Sequence, residues 1–324
     1  MDGRRTIPGI NDKLMSYLRS ELQNQRVTYS TPPIPVEGGY DTVIYRFQLE
    51  GASDELAEPL ILRVFAGSSP NRASFEGLVQ EAVAGSGYPA PKVHFTCIDE
   101  DVLGAGFLVM ELMPGRPMVE VPEDAMPGML AEAHLHLHRI DADPIRGALE
   151  TAGIKHRRSF DTLLRWLNER VEERGYDWLQ GGLEWIEGNR PGEPERLVVC
   201  HGDFHPLNLL VEDGRVSGVL DWANFLLGEP AYDMGTTVFL GEVAAPALLP
   251  EIDWPRLVRR YLEFYQSSSP LESERVDYYS AFRCLWAMYE GAEGHLAWSD
   301  PEIADRLSGY FHEKTGISIE IAEG

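Results

Sequence analysis

Cysteine, positive charge and long apolar runs are all scarce in this sequence. Cys97, Cys200 and Cys284 are the only cysteines, odd in number, far apart and without C-x-x-C spacing. Neither a disulfide framework nor a zinc cluster is suggested, and a reducing compartment fits best. No apolar run approaches the about 18 residues that span a membrane, and MDGRRTIPGINDKLMSYL lacks a signal-peptide core. The expectation is a soluble, cytoplasmic protein. Lys plus Arg number 28 against 52 Asp plus Glu, a formal charge of −24, which opposes attraction to nucleic acid or to an anionic membrane surface. The acids are spread along the chain, as on a solvated surface, although an acidic cleft for a cationic ligand would look similar. No G-x-G-x-x-G follows a first strand, which argues against a nicotinamide oxidoreductase, and there is no internal repeat.

What is present is ordinary globular composition, 44% hydrophobic and 25% charged over 324 residues, enough at about 150 residues per domain for roughly two units. Leu14, Tyr17, Leu18 and Leu22 recur at helical spacing after Asn11-Asp12, a capping pair. VTYSTPPIPV, TVIYRFQLEG and EPLILRVFAG then read as an antiparallel meander, followed by a helix over 71–84 and two more apolar runs, YPAPKVHFTCIDE and AGFLVMELMPG. From about Pro122 the segments become helical: DAMPGMLAEAHLHLHRI, SFDTLLRWLNERVEE, WPRLVRRYLEFYQ and ESERVDYYSAFRCLWAMYEGAEGHL. The Met113–Met118 stretch, MPGRPM, suits a hinge. The expected organisation is an N-terminal lobe over 1–112 and a C-terminal lobe over 113–324.

One strand-loop-strand segment interrupts the helices. In LVVCHGDFHPLNLLVEDGRVSGVLDW, polar residues sit between apolar strands, and a DG turn makes a hairpin. Asp203 and Asn208 are five apart, the separation of the Asp and Asn in the kinase loop H-R-D-x-x-x-x-N. There the Asp accepts the attacking hydroxyl's proton and the Asn binds magnesium. Asp221 follows thirteen residues after Asn208, at the end of the second strand, where kinases place their other magnesium ligand. Turn-capping would explain any one of these residues, but not the whole set at this spacing.

His201-Gly202-Asp203-Phe204-His205-Pro206-Leu207-Asn208, followed by LDWANFLLGEPAYDMG, resembles the signature of the aminoglycoside phosphotransferase and choline kinase superfamily. The likeness runs more weakly from Gly38 to Leu240. It implies an α+β, protein-kinase-like two-lobed fold, with a small antiparallel-sheet N-lobe and a larger, mainly helical C-lobe. It also implies Asp203 as catalytic base, Asn208 and Asp221 as Mg2+ ligands, His201 as a loop-shaping residue and Asp233 as a buried brace. Gly38-Gly39-Tyr40-Asp41-Thr42 would be the nucleotide-covering turn, with Gly38, Gly39 and Thr42 near the phosphates. Arg63 stands where kinases carry a strand lysine, and would clamp phosphate in bidentate fashion. Its acidic partner would be Glu76, with Glu81 as the alternative. Main-chain groups near Glu111 and Met113 would bind adenine.

Other features carry less. His134 and His138 would face one way on a helix, but without H-E-x-x-H they do not read as a metal site, and Leu137-His138 matches the family as a packing feature. Trp166, Trp178, Trp185, Trp254, Trp286 and Trp298 are expected mostly in the core, one or two lining the acceptor site. Asp161, Glu169, Glu172, Glu173, Asp177, Glu184, Asp277, Glu290 and Glu293 are either an acceptor site for a cationic molecule or solvated surface. The reading is an ATP-dependent kinase, GTP being possible, of a small-molecule hydroxyl, most economically on an aminoglycoside antibiotic and so a resistance enzyme. The alternatives are a macrolide, choline-like alcohol or other metabolite as acceptor, or a non-catalytic pseudokinase. The sequence leaves the oligomeric state open.

Overall fold

A computed structural model describes residues 6–36, 42–67, 71–154 and 159–321. They divide into two units: residues up to Pro114 together with Gly218–Ala223, and Gly115–Ser217 together with the chain from Asn224. Asp221 thus belongs with the first unit.

In that unit α1 (Ile10–Glu21) precedes an antiparallel sheet of β1 (Thr28–Val36), β2 (Val43–Glu50), β3 (Leu60–Val64), β4 (Val93–Cys97) and β5 (Phe107–Glu111). The strand order is β1-β2-β3-β5-β4. Central β3 is buried along its whole length, which is why LILRV reads as a continuous run instead of alternating. Its side chains still alternate in direction. Leu60, Leu62 and Val64 join Tyr45, Phe47, Phe107 and Val109 in a core capped by Leu14 and Leu18 of α1. Arg63 turns the other way, toward Glu76 of α2 (Asn71–Gly85). The expected cap of α1 at Asn11-Asp12 is not used. The helix starts at Ile10, and Gly9, left-handed at φ 69°, makes the turn into it without any side-chain cap.

The second unit is built from α3 (Met126–Leu137), α4 (Ala142–Thr151), α5 (Phe160–Arg174), α6 (Gln180–Gly188), α7 (Pro230–Phe239), α8 (Trp254–Gln266), α9 (Ser273–Ala292) and α10 (Pro301–Thr315). Short strands interrupt them: β6 (Arg116–Pro117), β7 (Val198–Cys200), β8 (Leu209–Glu212), β9 (Arg215–Val219), whose Gly218 and Val219 are assigned to the first unit, and β10 (Leu226–Gly228). β7 pairs with β10, and β6-β8-β9 form a second small sheet. The β8–β9 turn places Asp213 and Gly214 at φ 50° and 75°. A two-residue hairpin turn of the primed type requires two such left-handed residues, which Asp-Gly supplies at low cost. Among the described residues no helix is long and apolar enough to cross a membrane, and all three cysteines are buried free thiols.

Candidate active site

Residues 201–208 leave the buried strand β7 and are held from α7. Asp233 accepts the His201 N–H at 2.7 Å and the Gly202 N–H at 2.8 Å. Gly202 is left-handed at φ 74°, and a Cβ there would lie 2.2 Å from the Asn224 carbonyl oxygen. Only glycine lets the chain pass so close. This turn carries Asp203, whose side chain keeps 23% of its exposure, with His205 Nε2 3.5 Å from its Oδ1. Asn208 Nδ2 donates to the Asp203 carbonyl at 3.0 Å and reaches its Oδ2 at 3.3 Å. The structure therefore brings Asp203 and Asn208 together, with the Asn208 amide nitrogen turned inward. Burial raises the Asp203 carboxyl, but the charge and hydrogen bond of His205, with Arg283 and His201, hold it at about 2. Asp203 is a carboxylate at neutral pH, able to accept a hydrogen bond from a hydroxyl and orient it.

In the first unit Arg63 collects the remaining charged groups. Its Nη1 lies 3.0 Å from Glu76 Oε2, its Nη2 donates to Asp221 Oδ1 at 2.9 Å, and its Nε reaches Thr42 Oγ1 at 3.4 Å. Arg72, one turn before Glu76, donates to Glu76 Oε1 at 2.7 Å. Burial pushes the Glu76 carboxyl up, and the Arg63 and Arg72 guanidiniums oppose that shift. Between the two acids weighed for Arg63, Glu76 is 1% exposed and in contact, whereas Glu81 is on the surface. Asp221 adopts φ 65°, a conformation unusual for a residue with a side chain and one that clusters at functional sites.

Gly38 and Gly39, with Tyr40 and Asp41, lie outside the described residues. Thr42 is buried beside Arg63. At the end of β5 the Glu111 N–H is taken by the Lys92 carbonyl and that of Leu112 by Pro59, with Met113 next in the chain.

Several expectations need revision. Trp254 and Trp298 are core, but Trp166 is 37% exposed and stacks on half-buried Trp286 with ring centroids 5.1 Å apart. Many of the acids are already paired: Asp161 with Arg190, Glu173 with Arg170, Glu293 with Arg174, Asp277 with Lys314 and Glu290 with Arg283. His138 is more than packing, since both ring nitrogens have hydrogen-bond partners. Sequence reasoning also passed over His205 and Arg72. His205 was visible two residues after Asp203, and Arg72 by its i,i+4 spacing from Glu76.

A profile of the phosphotransferase enzyme family matches residues 34–308. The aminoglycoside 3'-phosphotransferase of Streptomyces fradiae is 29% identical over 257 residues, 74% of this chain and 90% of that protein. The probable acyl-CoA dehydrogenase IBR3 of Arabidopsis thaliana is 30% identical over 166 residues, 45% of this chain and 20% of that protein. The chain therefore aligns with only about a fifth of that longer relative. A ternary complex of a thermostable aminoglycoside phosphotransferase APH(4)-Ia mutant with AMP-PNP and hygromycin B matches at TM-score 0.62 and 16% identity, covering 94% of this chain and 98% of that one. That likeness bears on the fold, which is the kinase-like α+β fold of these enzymes. Given a small antiparallel sheet, a helical remainder and a profile match over most of its length, the chain belongs to the phosphotransferase enzyme family.

Proposed function

We propose that this protein is an ATP-dependent phosphotransferase that moves the γ-phosphoryl group to a hydroxyl of a small molecule, with an aminoglycoside as the first acceptor to test. The observation that carries the reading is the Asp203 carboxylate, ionised at neutral pH and tied to Asn208 in the HGDFHPLN loop. The acceptor oxygen forms a bond to the γ-phosphorus as the bond to the β–γ bridging oxygen breaks and ADP leaves. Asp203 accepts the hydroxyl hydrogen bond, lines up the oxygen, and takes the proton late, when the transferring group has made that proton acidic. A group with a pKa of about 2 suits this orienting role better than early proton abstraction. Asn208 and Asp221 offer an amide oxygen and a carboxylate, hard donors that suit Mg2+. Mg2+ bound with the nucleotide would neutralise charge on its phosphate oxygens. Arg63 holds Asp221 and Glu76 in place and is the phosphate-binding cation of the reading.

The relatives' names support an aminoglycoside acceptor. A second reading, a less cationic acceptor such as a macrolide or another hydrophobic alcohol, is favoured by the pairing of the acids and by the exposed Trp166 stack. A coupled ADP assay against aminoglycosides, a macrolide and choline separates the two. Asp203→Ala should lose about 100-fold or more in kcat while Mg·ATP affinity is kept. Equal turnover by that variant refutes the role, and nucleotide binding without turnover on any acceptor would indicate a pseudokinase.

A further inference from the structure

A polar node lies behind the Asp203 loop, inside the second unit. His134 on α3 and His138 at its C-terminal cap are one turn apart, as are Tyr261 and Tyr265 on α8. The two pairs meet in register: His134 Nδ1 is 2.5 Å from the Tyr261 hydroxyl and His138 Nδ1 is 2.6 Å from that of Tyr265. The other ring nitrogens converge on one oxygen. His138 Nε2 is hydrogen-bonded to Asp233 Oδ2 at 3.3 Å, and His134 Nε2 stands 2.9 Å from the same atom, off the axis of a straight hydrogen bond. That carboxylate also holds the His201 and Gly202 amides. Beyond Asp203, the His134 ring stacks on Phe204 with centroids 4.1 Å apart, and Thr237 donates to the Phe204 carbonyl at 2.8 Å. His134, His138, Asp233 and Phe204 are at most 1% exposed.

We infer that His134 and His138 are positioning residues for Asp203, acting through the Asp233 carboxylate and the Phe204 ring on the two sides of the loop. The value of that positioning for catalysis rests on the reading of Asp203 as the base; the geometry does not. Burial, and then the neighbouring His134, push His138 down to about 4, so at neutral pH it is an uncharged ring with one N–H. Burial pushes the Tyr265 phenol up to about 12, which keeps it a donor. The Asp233 carboxyl is held well below its usual range and so can only accept, which puts the single His138 proton at Nε2 and leaves Nδ1 to accept from the Tyr265 hydroxyl. The other charged or titratable groups facing the node are Arg196, which donates to the His138 carbonyl at 3.1 Å, Cys200 and His201. His134, His138 and Asp233 would also be close enough to share a metal ion. The two backbone amides on Asp233 and the tyrosine on each Nδ1 are explained without one.

The test uses the full chain and four variants: His134→Phe and His138→Phe, which keep a ring, and His134→Gln and His138→Gln, whose amide nitrogen can replace Nε2. Hydrogen exchange at the His201 and Gly202 amides, followed by NMR, should speed up about tenfold in His138→Phe and recover in His138→Gln. With Mg·ATP and water as the only acceptor, the Phe variants should lose about tenfold in kcat with KM for ATP within about twofold, and the Gln variants should recover part of the loss. Should wild-type protein and Asp203→Ala release ADP equally, the functional reading fails, while the exchange measurement still decides the positioning. A folded His138→Phe with unchanged His201 and Gly202 exchange overturns the inference. So does stoichiometric zinc in the purified protein. If the variants do not fold, long-range 15N–1H correlation on histidine-labelled wild-type protein decides: an Nε2–H tautomer at His138 supports the inference, and an Nδ1–H tautomer overturns it.

Discussion

Arg63 and Glu76 offer a quantitative test of how the first unit is held together. Their side chains are 8% and 2% exposed and their charged atoms 3.0 Å apart. At an effective dielectric of about 20, unit charges about 4 Å apart attract by about 4 kcal/mol, against a desolvation cost of similar size. The pair should therefore add little net stability, yet breaking it should be expensive. Arg63→Met leaves buried Glu76 with Arg72 alone, whose side chain is 25% exposed, and should cost about 3 kcal/mol. Glu76→Leu leaves Arg63 its contact with the more exposed Asp221 and should cost about 2 kcal/mol. The double variant should also cost about 2 kcal/mol, a coupling of about 3 kcal/mol. Urea denaturation of the four proteins, followed by far-UV circular dichroism, measures each value. The coupling should change little between low and high salt because the pair is buried. Additivity of the single variants within about 0.5 kcal/mol would refute the reasoning.

Stability should also fall in mild acid through His138. Its pKa is held near 4, below the ordinary imidazole value of 6.5, so between those values the unfolded chain binds a proton that the folded one does not. The contribution is complete above the unfolded value and is lost as pH falls toward the folded one, about 2 kcal/mol between pH 7 and pH 5; urea titrations should show that limb flattened in His138→Phe. Gly202→Ala, with its Cβ 2.2 Å from a carbonyl oxygen, should cost at least about 2 kcal/mol. Gly214→Ala, left-handed but with nothing within 4 Å, should cost about 1 kcal/mol, and thermal melts compare the two. EDTA should abolish ADP release and Mg2+ restore it, with Asn208→Ala needing about tenfold more Mg2+ in an initial-rate titration; a rate indifferent to EDTA would contradict the assignment of Asn208.

Particular residues show which features could be read along the chain. α2 and the helices after Pro122 follow a hydrophobic period of 3.6, β2 follows a period of two, and β3 is a continuous apolar run. The Asp213-Gly214 turn needs two left-handed residues, and that requirement is written in its own dipeptide. The start of α1 is not legible from capping residues because a left-handed Gly9 makes the turn that a side-chain cap would otherwise make. Of the six tryptophans expected mostly in the core only Trp254 and Trp298 are buried, because an indole can stack on another indole or lie under Arg170 and still be half exposed.

From sequence alone one obtains the element types, the kinase-like loop and the proposal of Asp203, Asn208 and Asp221 as site residues, because each depends on residues close together in the chain. The folded arrangement chooses Glu76 over Glu81 for Arg63, adds Arg72, sets His134 and His138 on Asp233, and engages many of the acids with cations. Those outcomes depend on which distant segments share a dry space, where a charge left without a partner is costly. Nothing in local spacing encodes that, since His138 and Asp233 lie 95 residues apart.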